Sequence, residues 1–145
     1  MIYREEQMNL LDVPQGYMLA HCISADYALG AGIAKTIDEA YGMRKMLAAS
    51  WPDGREMYDA MGAMCLPCAN VYNLVTKARC WHKPTLDSLR EALHDMRLHV
   101  VEEGVTKIAM PKIGCGLDRL EWEDVKPMIQ EVFDDTDVEI LICYL

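Results

Sequence analysis

The chain reads as an α/β domain built on a largely parallel or mixed sheet, and three features of the sequence say so. Short apolar runs of strand length, at residues 17–24, 106–110 and 138–145, suit strands covered on both faces. Two long segments, 84–103 and 122–133, carry apolar residues every three or four positions, the period of a helix packed on a core. Twice a glycine loop joins strand to helix, as GAG at 30–32 and GCG at 114–116. Strands that alternate with helices imply α/β layers rather than separate α and β halves.

Taken in order, the opening IYREEQMNLLDVP is a strand or half-strand running into a polar and then apolar loop closed by Pro14. YMLAHCIS, residues 17–24, is the candidate central strand. In ADYALGAGIAKTIDEAY, Gly30 and Gly32 precede Ile33, Ile37, Ala40 and Tyr41 at helical intervals, so this loop opens a helix. MRKMLAA continues as a helical piece that breaks at Trp51 and Pro52, and the stretch from the Asp53–Gly54 turn to Gly62 reads as a loop without periodicity. AMCLPCA and NVYNLVTK are two strands, and Lys77 closes the second. Strict alternation would put Lys77 on one face with Val71, Asn73 and Val75. After the polar and aromatic loop ARCWHK comes the clearest helix, with Leu86, Leu89, Leu93, Met96 and Val100 in one stripe and Gly104 as its stop. TKIAM is a buried strand, PKIGCGLDRL a glycine loop, and Val125, Met128, Ile129, Val132 and Phe133 form the apolar face of the next helix.

With 145 residues the chain fits one domain, 1–145, able to bury a core without disulfides or metals. A formal net charge of −9 opposes broad, sequence-independent binding to nucleic acid, although a local basic pocket stays compatible with it. The six cysteines are scattered, no signal peptide opens the chain and no apolar run is long enough to cross a bilayer, which suits a reducing cytoplasm. The eleven methionines sit mostly at apolar helical positions as gap-fillers. Cys65 and Cys68 with Cys80 and His82 do not make matched zinc knuckles, and CLPC does not open a helix, so neither metal nor redox chemistry is expected. His21, in an apolar strand, has the setting of a core histidine.

In open α/β sheets ligands bind outside the carboxyl ends of the strands. The His21–Ser24 strand end, the GAG loop, Lys77 and the GCGLD loop all fall there. Gly114 and Gly116 flank Cys115 and let backbone N–H groups approach a phosphate, and a helix N-terminus adds free N–H groups and a positive dipole end. Asp118 projects an acid from the rim.

These same residues carry a resemblance. LAHCIS, GAGIA, LVTK, HKPT, GVTKIAMPKIGCGLDRLEWEDV and EILICYL together resemble the macrodomain family, most nearly its branch of terminal ADP-ribose protein glycohydrolases. The likeness spans nearly the whole chain and is weakest between Gly42 and Cys68. It implies a three-layer α/β/α sandwich with a mixed central sheet and ADP-ribose lying across its top. It also implies Lys77 and Asp118 as the catalytic pair. The first phosphate loop would be Gly30, Ala31, Gly32, Ile33 and Ala34, and the second Ile113, Gly114, Cys115, Gly116 and Leu117. Asn9, Leu10, His21, Ser24, Thr76, Pro111 and Leu145 complete the implied substrate-binding set. The chain departs from the family at two places. Met8 and Asn9 stand where a Gly-Asp pair would contact adenine, and Asn9 can accept that hydrogen bond only through an uncharged amide oxygen. Cys143 stands where an aromatic would wall the adenine, with Tyr144 or Trp122 as substitutes.

The resemblance implies a monomeric hydrolase of ADP-ribose linkages on acyl acceptors, needing no cofactor or metal. Two alternatives accompany it: a reader that binds ADP-ribose without turnover, and a glycohydrolase of ADP-ribosylated DNA.

Overall fold

The apolar runs become neighbouring strands because each has two faces to bury. The computed structural model describes residues 1–145 and holds six strands: β1 (Ile2–Gln7), β2 (Met18–Ser24), β3 (Met64–Cys68), β4 (Val71–Lys77), β5 (Lys107–Met110) and β6 (Glu139–Tyr144). They form one sheet in the order β1-β6-β5-β2-β4-β3. Every neighbouring pair is parallel except β3 with β4, so the sheet is mixed and five strands end at the same edge.

Period-two alternation along these strands feeds two cores. On one face Ala20, Tyr72, Leu74, Ile108, Ile140 and Ile142 meet α4 (Leu86–Glu103) and α5 (Trp122–Phe133). On the other, Leu19, Ile23, Val71, Val75 and Leu141 meet Ile37 of α1 (Gly32–Tyr41) and Met43 and Leu47 of α2 (Met43–Ser50). The result is the three-layer α/β/α sandwich. Leu89, Leu93, Met96 and Val100 of α4 are buried, and full burial of such side chains stabilises by roughly 1.5–3 kcal/mol each. A capping box between Thr85 and Ser88 starts α4, and Gly104, at φ 67°, ends it.

Three expectations need correcting. The stretch after Asp53 is a helix, α3 (Gly54–Met61), whose eight residues are too short a run to show a period, and it packs on the core through Gly54, Met57 and Tyr58. In α1, Ala40 and Tyr41 stay exposed; the chain turns at the left-handed Gly42, and Met43 and Leu47 of the next helix take over the core contact. In β4 the alternation stops before Lys77. Val75 pairs with Ile23 but Lys77, not Thr76, pairs with Ser24, so Thr76 is the extra residue of a bulge. Cys65 and Cys68, three apart on β3, belong to opposite cores and do not converge. No helix is long and apolar enough to cross a membrane.

Candidate active site

Because five strands end at one edge, the loops that follow β2, β4 and β5 surround a common cleft of about 730 Å³. Ser24, Gly30, Ala31, Gly32, Ile33, Ala34, Lys77, Pro111, Ile113, Gly114, Gly116, Leu117 and Asp118 line it. Its charged lining is Lys77, Lys83, Lys112 and Asp118: three lysines against one aspartate leave a net +2 in a chain whose net charge is −9. Such a local reversal draws anions to the cleft while the rest of the surface repels them.

The first glycine loop is a helix start without a side-chain cap. Ala31, the extended N-cap of α1, has no side chain with which to cap, and the N–H groups of Gly32, Ile33 and Ala34 take no backbone partner. Gly32 adopts φ +60°, and a Cβ there would lie 3.2 Å from Leu117 Cδ1, so the two loops face each other at this glycine. The second loop is not itself a helix N-terminus, because α5 begins only at Trp122. It is a separate turn: Leu120 N–H donates to Gly114 O at 2.7 Å and Arg119 N–H to Gly116 O at 3.1 Å. Gly114 needs φ +72°, and a Cβ on it would meet Leu120 Cδ1 at 2.9 Å, whereas Gly116 opens onto free space.

Lys77 Nζ and Asp118 Oδ1 form an ion pair of 2.7 Å between the end of β4 and the second loop. Both side chains are largely withdrawn from solvent, with exposures of 13% and 16%. A lysine and a carboxylate in contact within a cleft can exchange a proton and act on opposite ends of a polar bond. Cys22 also borders the cleft. Burial, with the negative Asp118 nearby, pushes its thiol far above the usual range. Burial likewise pushes Cys115 up to about 11, and its Sγ donates to Ile113 O at 3.3 Å. Neither thiol is a thiolate at neutral pH.

Several residues of the implied set do not line this cleft. His21 is fully buried and its Nε2 lies 2.6 Å from Asn73 Oδ1; β2 turns it into the core between its neighbours' faces. Leu10 packs in the core beside α1 and α2. Asn9 uses its Oδ1 to accept Leu11 N–H at 2.9 Å, capping a 3-10 turn at Leu10–Asp12. Thr76, turned aside by the bulge, borders a different cavity. Cys115 points back at its own loop, and Leu145, 89% exposed, projects from the chain end. Cys143 is a core residue, because alternation along β6 gives the outward position to Tyr144. Tyr144 and Trp122 instead gather around Lys112, whose Nζ lies 4.9 Å and 5.8 Å from the two ring centroids.

Three positioning residues escape a reading by motif. Asp26 accepts from Ser24 Oγ at 2.5 Å and Ala28 N–H at 3.2 Å through Oδ1, and from Cys80 N–H at 2.9 Å through Oδ2. It thus ties the first loop to the segment after Lys77. Burial works against its ionisation, but these donors outweigh that and leave its carboxyl below the usual range. The turn it makes with Ala28 is the one local signal that could have found it. Tyr27, at φ 53°, stands over Gly54, where a Cβ would lie 1.9 Å from the phenol oxygen, and donates to Trp51 O at 2.8 Å. Lys83 Nζ donates to Leu117 O at 2.7 Å, clasping the β4–α4 loop to the second glycine loop.

Comparison with known proteins places this geometry in company. The family description that fits is the Macro domain, over residues 20–129. ADP-ribose glycohydrolase OARD1 of Homo sapiens is 40% identical over 135 residues, covering 92% of this chain and 86% of that protein. A DNA ADP-ribosyl glycohydrolase of Thermus aquaticus is 33% identical over 64 residues, 44% of this chain and 18% of that protein. Among solved structures, the macrodomain of Thermus aquaticus DarG superposes with a TM-score of 0.80 at 24% identity, covering 99% of this chain and 98% of that one.

Proposed function

The chain belongs to the Macro domain family, and from that premise we propose that it is a hydrolase that frees ADP-ribose from acyl-linked acceptors. The acceptors are glutamate or aspartate side chains of proteins, or the acyl group of O-acyl-ADP-ribose. The observation that carries the reading is the Lys77–Asp118 pair at 2.7 Å, in a net-positive cleft lined by the open start of α1 and the second glycine loop. The loop amides suit a diphosphate, which would leave the distal ribose beside the pair.

In the reaction as proposed, Asp118 takes a proton from Lys77, and the neutral amine attacks the anomeric carbon of the distal ribose. The N–C bond forms as the C–O bond to the acceptor breaks, and the acceptor departs as a carboxylate that needs no proton. Asp118 then gives its proton to solvent, water attacks the same carbon with its own proton passing to Asp118, the lysine leaves as the neutral amine and takes that proton from Asp118, and ADP-ribose is released. Hydrolysis thus consumes one water and yields ADP-ribose, a carboxylate and a proton. In the competing route Asp118 activates water directly and Lys77 stays charged to stabilise the leaving carboxylate; the 2.7 Å contact serves either route.

The test is a panel of ADP-ribosylated glutamate, serine and thymidine substrates and O-acetyl-ADP-ribose, read by release of ADP-ribose. Lys77→Ala should lose turnover, by at least about 100-fold if the lysine is the nucleophile, while binding ADP-ribose as before. Lys77→Arg keeps the charge but stays protonated, so it should be equally inactive. An active Lys77→Arg would transfer the reading to the water route. The short likeness to a DNA glycohydrolase supports a second reading, against which the net charge of −9 weighs; release from the thymidine substrate alone would establish it. Tight binding with no turnover of any substrate would leave a reader.

A further inference from the structure

A second cavity, of about 430 Å³, opens on the other side of the Lys77 side chain. Tyr58, Thr76, His82, Lys83 and Thr85 line it, and Lys77 and Lys83 border both this cavity and the cleft. Thr76 is its unusual member. The residue is 1% exposed, yet its hydroxyl oxygen has no hydrogen-bond partner. A buried hydroxyl without a partner costs about 1–3 kcal/mol. Valine would have the same shape and avoid that cost, so packing alone does not account for the hydroxyl. The β4 bulge is what makes Thr76 the extra residue at this point, and bulges beside active sites commonly re-aim a side chain in this way.

We propose that this cavity is the acceptor subsite: it receives the carboxylate, and the short stretch of peptide around it, from which ADP-ribose is removed. This rests on the hydrolase reading above. The lining matches a carboxylate: the Lys83 ammonium and the hydroxyls of Thr85 and Tyr58 can donate, rotation of the Thr76 side chain would bring its uncommitted hydroxyl to the same group, and no aspartate or glutamate lines it. Lys83 gives one N–H to Leu117 O, which leaves two for the acceptor. With ADP-ribose in the cleft and the acceptor in this cavity, the bond to be broken lies at Lys77, the residue common to both. The cavity suits an acidic side chain and its neighbours rather than a length of polyanionic strand, which the chain's net charge of −9 would repel at long range.

The experiment compares wild type, Thr76→Val and Thr76→Ser on a glutamate-ADP-ribosylated peptide, with calorimetry of free ADP-ribose in parallel. Thr76→Val should lower kcat/KM on the peptide by about tenfold or more, leave the Kd for ADP-ribose unchanged, and lose no thermal stability. Thr76→Ser should restore the activity. Unchanged kcat/KM in Thr76→Val, or an equal loss of ADP-ribose affinity, would overturn the assignment. So would a larger effect on an ADP-ribosylated oligonucleotide than on the peptide. A second measurement separates this proposal from the hydrolase reading. N-acetylglutamate titrated into protein saturated with ADP-ribose should shift the NMR resonances of Tyr58, Thr76 and His82, and should not do so in Thr76→Val. If those shifts appear while wild type hydrolyses nothing, the subsite stands and the hydrolase reading fails; if they do not appear, the subsite is refuted whatever the activity.

Discussion

Replacing His21 by glutamine should remove a steep loss of stability at mildly acidic pH without touching ligand binding. Asn73 spends its Nδ2 on Leu66 O at 3.0 Å and Met43 Sδ at 3.4 Å, so its Oδ1 faces His21 and the histidine must donate from Nε2. The other ring nitrogen, Nδ1, is buried without a partner. Burial lowers the His21 pKa from 6.5 to about 4, although the hydrogen bond to Asn73 acts the other way. The folded value therefore lies below the unfolded one. Above the unfolded pKa both states are neutral and nothing depends on pH. As pH falls from there through the folded pKa, the unfolded chain takes a proton that the native state refuses, and stability is lost. A shift from 6.5 to about 4, at 1.36 kcal/mol per unit, comes to about 3 kcal/mol. Urea denaturation of wild type and His21→Gln between about pH 7.5 and pH 4 should show the wild type losing about 3 kcal/mol more than the variant, since the carboxylates common to both cancel in the difference. Parallel pH profiles, or a His21 imidazole that titrates at or above its ordinary value by NMR, would refute the buried-neutral assignment. A loss of ADP-ribose affinity in His21→Gln at neutral pH would return His21 to the site.

The two glycines of the second loop should separate folding from binding. Gly116→Glu has open space for its side chain and should fold with an unchanged melting temperature, yet abolish the thermal stabilisation by ADP-ribose that wild type shows, because its carboxylate would stand where the diphosphate must lie. Gly114→Ala should instead be destabilised by about 1–2 kcal/mol in urea, from its φ of +72° and the approach of Leu120. Asp26→Ala leaves the Cys80 and Ala28 N–H groups without their acceptor and should cost about 1–3 kcal/mol of stability. It should also lower kcat on the acyl-linked substrates more than it weakens ADP-ribose binding, because the segment it anchors follows Lys77.

Periodicity made most of the fold legible before any contact was known. Leu89, Leu93, Met96 and Val100, or Val125, Ile129 and Phe133, repeat because one side of a helix must face the sheet, and that requirement is local. The apolar strands and the free start of α1 at Gly32 were legible for the same reason. A run of eight residues is too short to establish a period, as in α3, whose place is set by Gly54 fitting under the Tyr27 ring. The site itself depends on pairs far apart in the chain. Asp26 meets Cys80 across 54 positions, Lys83 meets Leu117 across 34 and Lys77 meets Asp118 across 41. No periodicity links such residues, since loop tips are placed by the strands that carry them rather than by their own pattern. A motif named Lys77 and Asp118 as a pair, but only the sheet order brings β4 and the loop after β5 to the two flanks of β2, and so to one cleft. The bulge that turned Thr76 away from the alternation of β4 is likewise a product of pairing with β2: a strand read alone has period two, and only its partner can interrupt it.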